Sequence, residues 1–219
     1  MNARRHIIIG MGATAALGML SCSTLNLKLK SEYLEDLSSS QFPNIRLHTH
    51  EGKAVKFYDD LVRGKVVVIN MMYTECKAAC PMMTANLQRV QKLCGDRLGR
   101  DVFMYSITLR PDIDTPERLQ EYVDRHHITS GWQFLTGAVE DIEHLRYLLG
   151  FYDRDPGVDR DPSSHTRVVR IGNDKYNRWT MSPALAAPEQ ILAAINHVDP
   201  SIVHTYNGGV QNFSDYVQA

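Results

Sequence analysis

Apolar residues in this chain fall into two kinds of pattern, short continuous runs and stripes of helical period, and the two alternate. The densest run of the folded part, 66–72, follows Gly64; its β-branched content predicts a strand covered on both faces. From Pro81 the pattern becomes helical, with Met83, Leu87, Val90 and Cys94 recurring every three to four residues and Gly95 as the stop signal. Residues 102–109 read as the next strand. Asp114-Thr115-Pro116-Glu117 then predicts a helix start, with Asp114 as N-cap, Glu117 three residues on and Pro116 in the first turn, the helix ending near His126-His127. A short strand at 132–135 precedes an Ile142, Leu145, Leu148, Leu149 stripe closed by Gly150. Residues 166–171 and 178–181 pair as a hairpin across Gly172-Asn173-Asp174, and 188–197 forms a last helix. Upstream, a first strand at 45–50 turns at Glu51-Gly52-Lys53.

Strands alternating with helices, then a hairpin and a helix, predict an α/β fold of thioredoxin-like type, a central mixed sheet flanked by helices. The 219 residues divide into a leader at 1–22, a polar tether at 23–41, the domain at 42–199 and a tail at 200–219. With 43% apolar residues the chain suffices for one core without disulfide staples. A net charge of −1 leaves no basic surplus for nucleic acid.

The leader places Arg4 and Arg5 before an uncharged apolar stretch, 7–20, that is too short for a permanent membrane span and is followed by small and polar residues, the order of an export signal. Arg4-Arg5-His6-Ile7-Ile8 resembles a twin-arginine signal, and Met19-Leu20-Ser21-Cys22 resembles a lipoprotein cleavage box that makes Cys22 a lipid anchor. Either route predicts an exported domain, in the periplasm or on the outer face of the cytoplasmic membrane, where thiols oxidise unless something reduces them.

The chemistry concentrates in Thr74-Glu75-Cys76-Lys77-Ala78-Ala79-Cys80-Pro81, between the central strand and the first helix, where α/β sheets present loops to ligands. Pro81 disfavours helical backbone at Cys80, which predicts both cysteines in a loop with Cys80 near the N-cap. There the helix dipole, with Lys77 nearby, favours the thiolate that attacks disulfides and binds soft metals. Two thiolates select Cu(I) or Zn(II), and a third ligand decides more. Among nine histidines the candidate is His165, in a loop just before a strand.

The Tyr73-Thr74-x-Cys76-x-x-x-Cys80-Pro81 segment, the Asp114-Thr115-Pro116-Glu117 helix start and Ser164-His165-Thr166 resemble, in this order and spacing, the Sco (SenC) family across about 42–197. The resemblance implies a thioredoxin fold and copper, Cu(I) or Cu(II), held by Cys76, Cys80 and His165. It further implies delivery of copper to, or reduction of the cysteines of, a respiratory copper enzyme such as cytochrome c oxidase. Implied partners are that client, a copper donor and a thiol reductant. Two positions depart from the family: Ser164 stands where it often has Asp, which removes a carboxylate able to orient the histidine. Arg110-Pro111 stands where it often has Asp-Pro.

The same two cysteines also suit a thiol-disulfide oxidoreductase acting on exported clients, one thiolate attacking and the other resolving. A structural disulfide, a peroxidase using Lys77 or Arg110, and a four-ligand zinc site fit less well. Cys94, on an apolar helix face, reads as a buried inert thiol; His48, His50, His126 and His127 read as surface features; Met71, Met72, Met82 and Met83 read as packing.

Overall fold

The structure, a computed structural model, describes residues 42–77, 79–159, 161 and 167–199. The chain divides into two compact units, Met1–Pro43 and Asn44–Ala219, and the fold below is that of the second.

A mixed seven-stranded sheet is its centre, in the order β2-β1-β5-β4-β3-β6-β7. The strands are β1 (Arg46–Thr49), β2 (Ala54–Lys56), β3 (Val66–Met72), β4 (Val102–Thr108), β5 (Trp132–Gly137), β6 (Val168–Asn173) and β7 (Arg178–Pro183). β3, β4 and β5 run parallel, while β6 and β1 flank them antiparallel. Helices α1 (Ala79–Cys94) and α2 (Pro116–Arg125) make the two crossovers between the parallel strands; α3 (Val139–Leu148) and α4 (Pro188–Val198) follow β5 and β7. Among the described residues no helix is long and apolar enough to cross a membrane.

All seven residues of β3 are buried, as its unbroken apolar run predicts. One face of the sheet joins α1, α2 and α4 in a core that includes Val68, Met83, Leu87, Met104, Leu119, Phe134, Ile171 and Ile191. Ile142, Leu145 and Leu149 are also fully buried but lie outside that cluster; Ile142 meets Leu47 around Gly137, so α3 serves the β1–β5 side. Asn70, the polar residue within β3, is satisfied across the strands: Ser106 donates to it at 2.7 Å and the Trp132 indole donates to Ser106 at 2.9 Å. A buried amide left unpaired there costs on the order of 1–3 kcal/mol, so this relay is what permits a polar side chain in the central strand.

Three sequence expectations change. Between the turn at Gly52 and β3, where the pattern predicts no element, lie a short strand, β2, and a wide helical turn, Phe57–Val62. Gly172 belongs to β6 and not to the hairpin turn, which is made by Asp174–Tyr176 with Asn177 left-handed at φ 48°. A Cβ on Gly172 would lie 2.0 Å from the Trp179 ring, so the glycine exists to let the indole lie across the sheet. Finally, the cap of α2 is Thr115, whose hydroxyl accepts from the Arg118 N–H at 3.4 Å; Asp114 is fully buried and does something else.

Candidate metal and thiol centre

The parallel pair β3 and β4 ends at Met72 and Thr108, side by side in the sheet, and the cysteine loop leaves from that edge. Asp114 holds it there. Its carboxylate accepts from the Thr74 N–H (3.1 Å), from the Thr74 hydroxyl and from the Thr108 hydroxyl, so one buried side chain ties the loop after β3 to the end of β4. Thr108 in turn accepts from the Arg110 N–H at 2.9 Å. Hydrogen bonds to a charged acceptor are among the stronger ones in proteins, and here they replace the hydration that the buried carboxylate has lost.

Cys76 follows in the loop, nearly buried, and Cys80 is fully buried in the first turn of α1. The helix begins one residue before Cys80, despite the restriction that Pro81 places on it; Pro81 still lies in the first turn, where a missing N–H costs no helical bond. The Cys80 N–H donates to the Cys76 sulfur at 3.4 Å, so Cys76 caps the helix that carries its partner. The Tyr73 hydroxyl, its pKa pushed up to about 12 by burial and then by its hydrogen bond to Cys76, covers the same sulfur.

Burial pushes the Cys80 thiol up to about 12; the hydrogen bond with the Tyr73 backbone opposes it, and the hydrogen bond and charge of Cys76 add to it. Burial thus opposes the thiolate that the helix N-terminus and Lys77 are expected to favour at Cys80. Loss of its proton needs a positive charge nearby, which a soft cation held by the two sulfurs would supply. Cys94 is buried and its thiol is raised by burial, as its place on the apolar face of α1 predicts.

A cleft of about 690 Å³ opens beside Cys76, between the loop and α2; Thr74, Glu75, Cys76, Lys77 and Pro81 form one wall and Arg118, Glu121, Tyr122, Arg125 and His126 the other. Arg118 reaches Glu75 at 3.4 Å. His126 packs against Tyr122 in a tilted arrangement with centroids 4.2 Å apart, and burial, then Arg125, holds its imidazole below the ordinary histidine range. His126 is thus a cleft residue and not a bare surface feature. His50 accepts from the Phe134 N–H at 3.1 Å, while Met71, Met72 and Met83 are core and Met82 is exposed.

His165 and Cys22 lie outside the described residues. The approach to His165 is visible as far as Asp161, whose charge acts on the Tyr73 hydroxyl beside Cys76. That approach is fixed by Arg146, which donates to Asp159 at 2.6 and 2.8 Å, to Glu143 at 2.9 and 3.2 Å and to the Phe151 carbonyl at 3.1 Å. Asp159 closes a short helical turn, Pro156–Asp159, and also accepts from the Asp153 N–H and the Tyr147 hydroxyl. Among the described residues no group of three His, Cys, Asp or Glu side chains could hold a metal ion. The two cysteines supply a soft donor pair that fits copper in kind, with any further ligand coming from elsewhere.

The SCO1/SenC family model matches residues 38–198. The chain belongs to the SCO1/SenC family. It is 28% identical over 129 residues to the SCO1 protein homolog of Bacillus subtilis, covering 58% of this chain and 62% of that protein, so it spans about three fifths of the curated relative it matches. Among solved structures, a SCO1/SenC family lipoprotein from Bacillus anthracis is similar at 25% identity and TM-score 0.57, over 70% of this chain and 92% of the other. ScoI of Bradyrhizobium japonicum with copper bound shares the fold at 22% identity and TM-score 0.57, over 70% and 96%. The fold is thioredoxin-like, as the alternation of strands and helices predicts. Asp114, Tyr73, Tyr122 and Arg125 are the site residues that sequence reasoning did not assign; for Asp114 the available signal was a pair of threonines, Thr74 and Thr108, at the ends of two adjacent strands.

Proposed function

We propose that this SCO1/SenC protein is an exported copper-binding assembly factor. It holds Cu(I) through Cys76, Cys80 and His165 and either delivers it to, or reduces the cysteines of, a copper enzyme such as cytochrome c oxidase. The observation that carries this reading is the paired thiols at the carboxyl end of the central strand, with Cys76 capping the helix of Cys80 and opening on a cleft. Copper in a relative of the same fold supports the metal. Two deprotonated sulfurs bracket a soft monovalent ion, and Cu(I) is the physiological ion that accepts so few ligands. The leader at 1–22, with Cys22 as a lipid anchor, places the domain outside the cytosol; the lipoprotein relative supports that anchor.

A second reading, a thiol-disulfide oxidoreductase, draws on the asymmetry of the pair: Cys76 faces the cleft and Cys80 is sealed. Anaerobic Cu(I) titration of the reduced protein separates the two. One equivalent binds to wild type, Cys76→Ser or Cys80→Ser costs far more affinity than His165→Ala, and oxidation abolishes binding. Unchanged stoichiometric binding in the Cys76→Ser, Cys80→Ser double variant refutes the copper reading.

A further inference from the structure

The cleft beside Cys76 is large enough, and lined by enough charged side chains, to hold a ligand of its own. Its 690 Å³ falls in the range of small-molecule pockets, about 300–1,000 Å³. Of its charged residues, Glu75 and Arg118 satisfy each other. Among the described residues, Lys77 and Arg125 have no ion-pair partner and stand against one carboxylate, Glu121, that also has none. The result is a pocket with a cationic surplus, an imidazole and an aromatic ring, walled on one side by Cys76. Cys80 does not line it.

We propose that this cleft seats a small thiol bearing carboxylates, which reduces the Cys76–Cys80 disulfide by attack at Cys76. The proposal rests on the reading that the two cysteines are redox-active, and it names the reductant class and the sulfur attacked. The incoming thiolate forms a bond to the Cys76 sulfur, the Cys76–Cys80 bond breaks and its electron pair leaves on Cys80, which takes a proton. A second small thiolate then attacks the small-molecule sulfur of the mixed disulfide. It releases Cys76 and leaves the small disulfide as the oxidised product, two electrons having passed to the protein. Arg125 and Lys77 hold the carboxylates of the first thiol while its sulfur reaches Cys76. An acidic protein segment has the same charge but needs an extended surface, whereas this cleft is concave and of small-molecule size.

The test uses the oxidised full-length protein and three thiols, glutathione (anionic), 2-mercaptoethanol (neutral) and cysteamine (cationic), with rates expressed per thiolate. Glutathione should exceed 2-mercaptoethanol by roughly three- to fivefold, the scale of a partly exposed charge pair, and cysteamine should be slowest. Arg125→Glu should remove or invert that order, and Lys77→Glu provides the same readout should Arg125→Glu not fold. In parallel, S-methylglutathione, which cannot exchange, is titrated into the reduced protein; it should bind wild type and lose affinity in either variant. An order of thiols that both variants leave intact overturns the proposal, as does S-methylglutathione binding indifferent to both substitutions, or a poly-glutamate peptide binding the cleft where S-methylglutathione does not. If no Cys76–Cys80 disulfide forms, it is the redox reading that fails, and the S-methylglutathione titration still decides the cleft.

Discussion

Two connections carry the candidate site, and they are tied to the sheet by opposite means. The cysteine loop is held by a buried carboxylate, Asp114, that accepts from one amide and two hydroxyls. The connection after α3 is held by an ion pair, Arg146 with Asp159, reinforced by Glu143 and a backbone carbonyl. Neutral donors gathered on one buried carboxylate fix the position of a short loop. A guanidinium can gather several distant acceptors at once, which suits a longer excursion such as the one from Leu149 to Val168. The difference teaches that one buried acceptor suffices to fix a short loop, while a guanidinium is used where reach is needed.

The largest effect is expected at the ion pair. Asp159→Asn leaves Arg146, of which 9% is exposed, without its main counter-charge, and should cost about 3–5 kcal/mol in denaturant unfolding. Asp114→Asn should cost about 2 kcal/mol, because an amide accepts on one atom only and turns its NH2 toward a donor. Equal costs for the two would erase the distinction between the anchors. Copper affinity sharpens it: Asp114→Asn moves the loop that bears Cys76 and should weaken Cu(I) binding directly.

The two regions should also fail at opposite ends of the pH scale. Arg146 holds the Asp159 carboxyl well below the usual carboxylate range, so its stabilisation is present above the unfolded value near 3.8 and is lost as pH falls toward its folded value. Cys80 has the reverse sign. Its thiol is raised from 9.0 to about 12, so the folded state keeps a proton that the unfolded state releases. Stability of the reduced protein is full below pH 9.0 and declines between there and about 12, by ~1.4 kcal/mol per pH unit. Chemical denaturation across pH should show a shallower alkaline slope in Cys80→Ser, most clearly just above pH 9.0 before the buried tyrosines contribute, and a shallower acid slope in Asp159→Asn. A Cys80→Ser protein whose slope just above pH 9.0 equals that of wild type contradicts this assignment.

The smallest expected effect is Thr74→Val, which removes one of the three donors to Asp114 and should cost about 1 kcal/mol. Its use is as a control, since a cost equal to that of Asp114→Asn shows that the carboxylate works through Thr74 alone.

Most of the sheet was legible because its signals are local. The unbroken run of β3 and the helical stripes of α1 and α3 declare themselves within a dozen residues. β2 and the turn at Phe57–Val62 were not legible, since a three-residue strand carries no period and a wide helical turn mimics a loop. Gly172 looked like turn punctuation; its actual role, to lie beneath Trp179, depends on the register of the next strand. Asp114 and Thr115 satisfy the grammar of a helix cap equally well, and only contacts 6 and 40 residues away decide between them. The cysteines were found from motif and position, but the protonation of Cys80 depends on how deeply the completed fold buries it.

A row of rings leads from the centre of the molecule to the cleft: Trp132 stacks on Phe134 (5.3 Å), Phe134 meets Tyr122 (5.7 Å), and Tyr122 meets His126 (4.2 Å). The chain has only two tryptophans, and the other, Trp179, lies over Gly172 in the β6–β7 hairpin. Trp132 is therefore a built-in optical reporter: its emission should respond when a ligand shifts His126 and Tyr122, with Trp179 as an internal reference. Occupancy of the cleft then becomes measurable by fluorescence in the unlabelled protein.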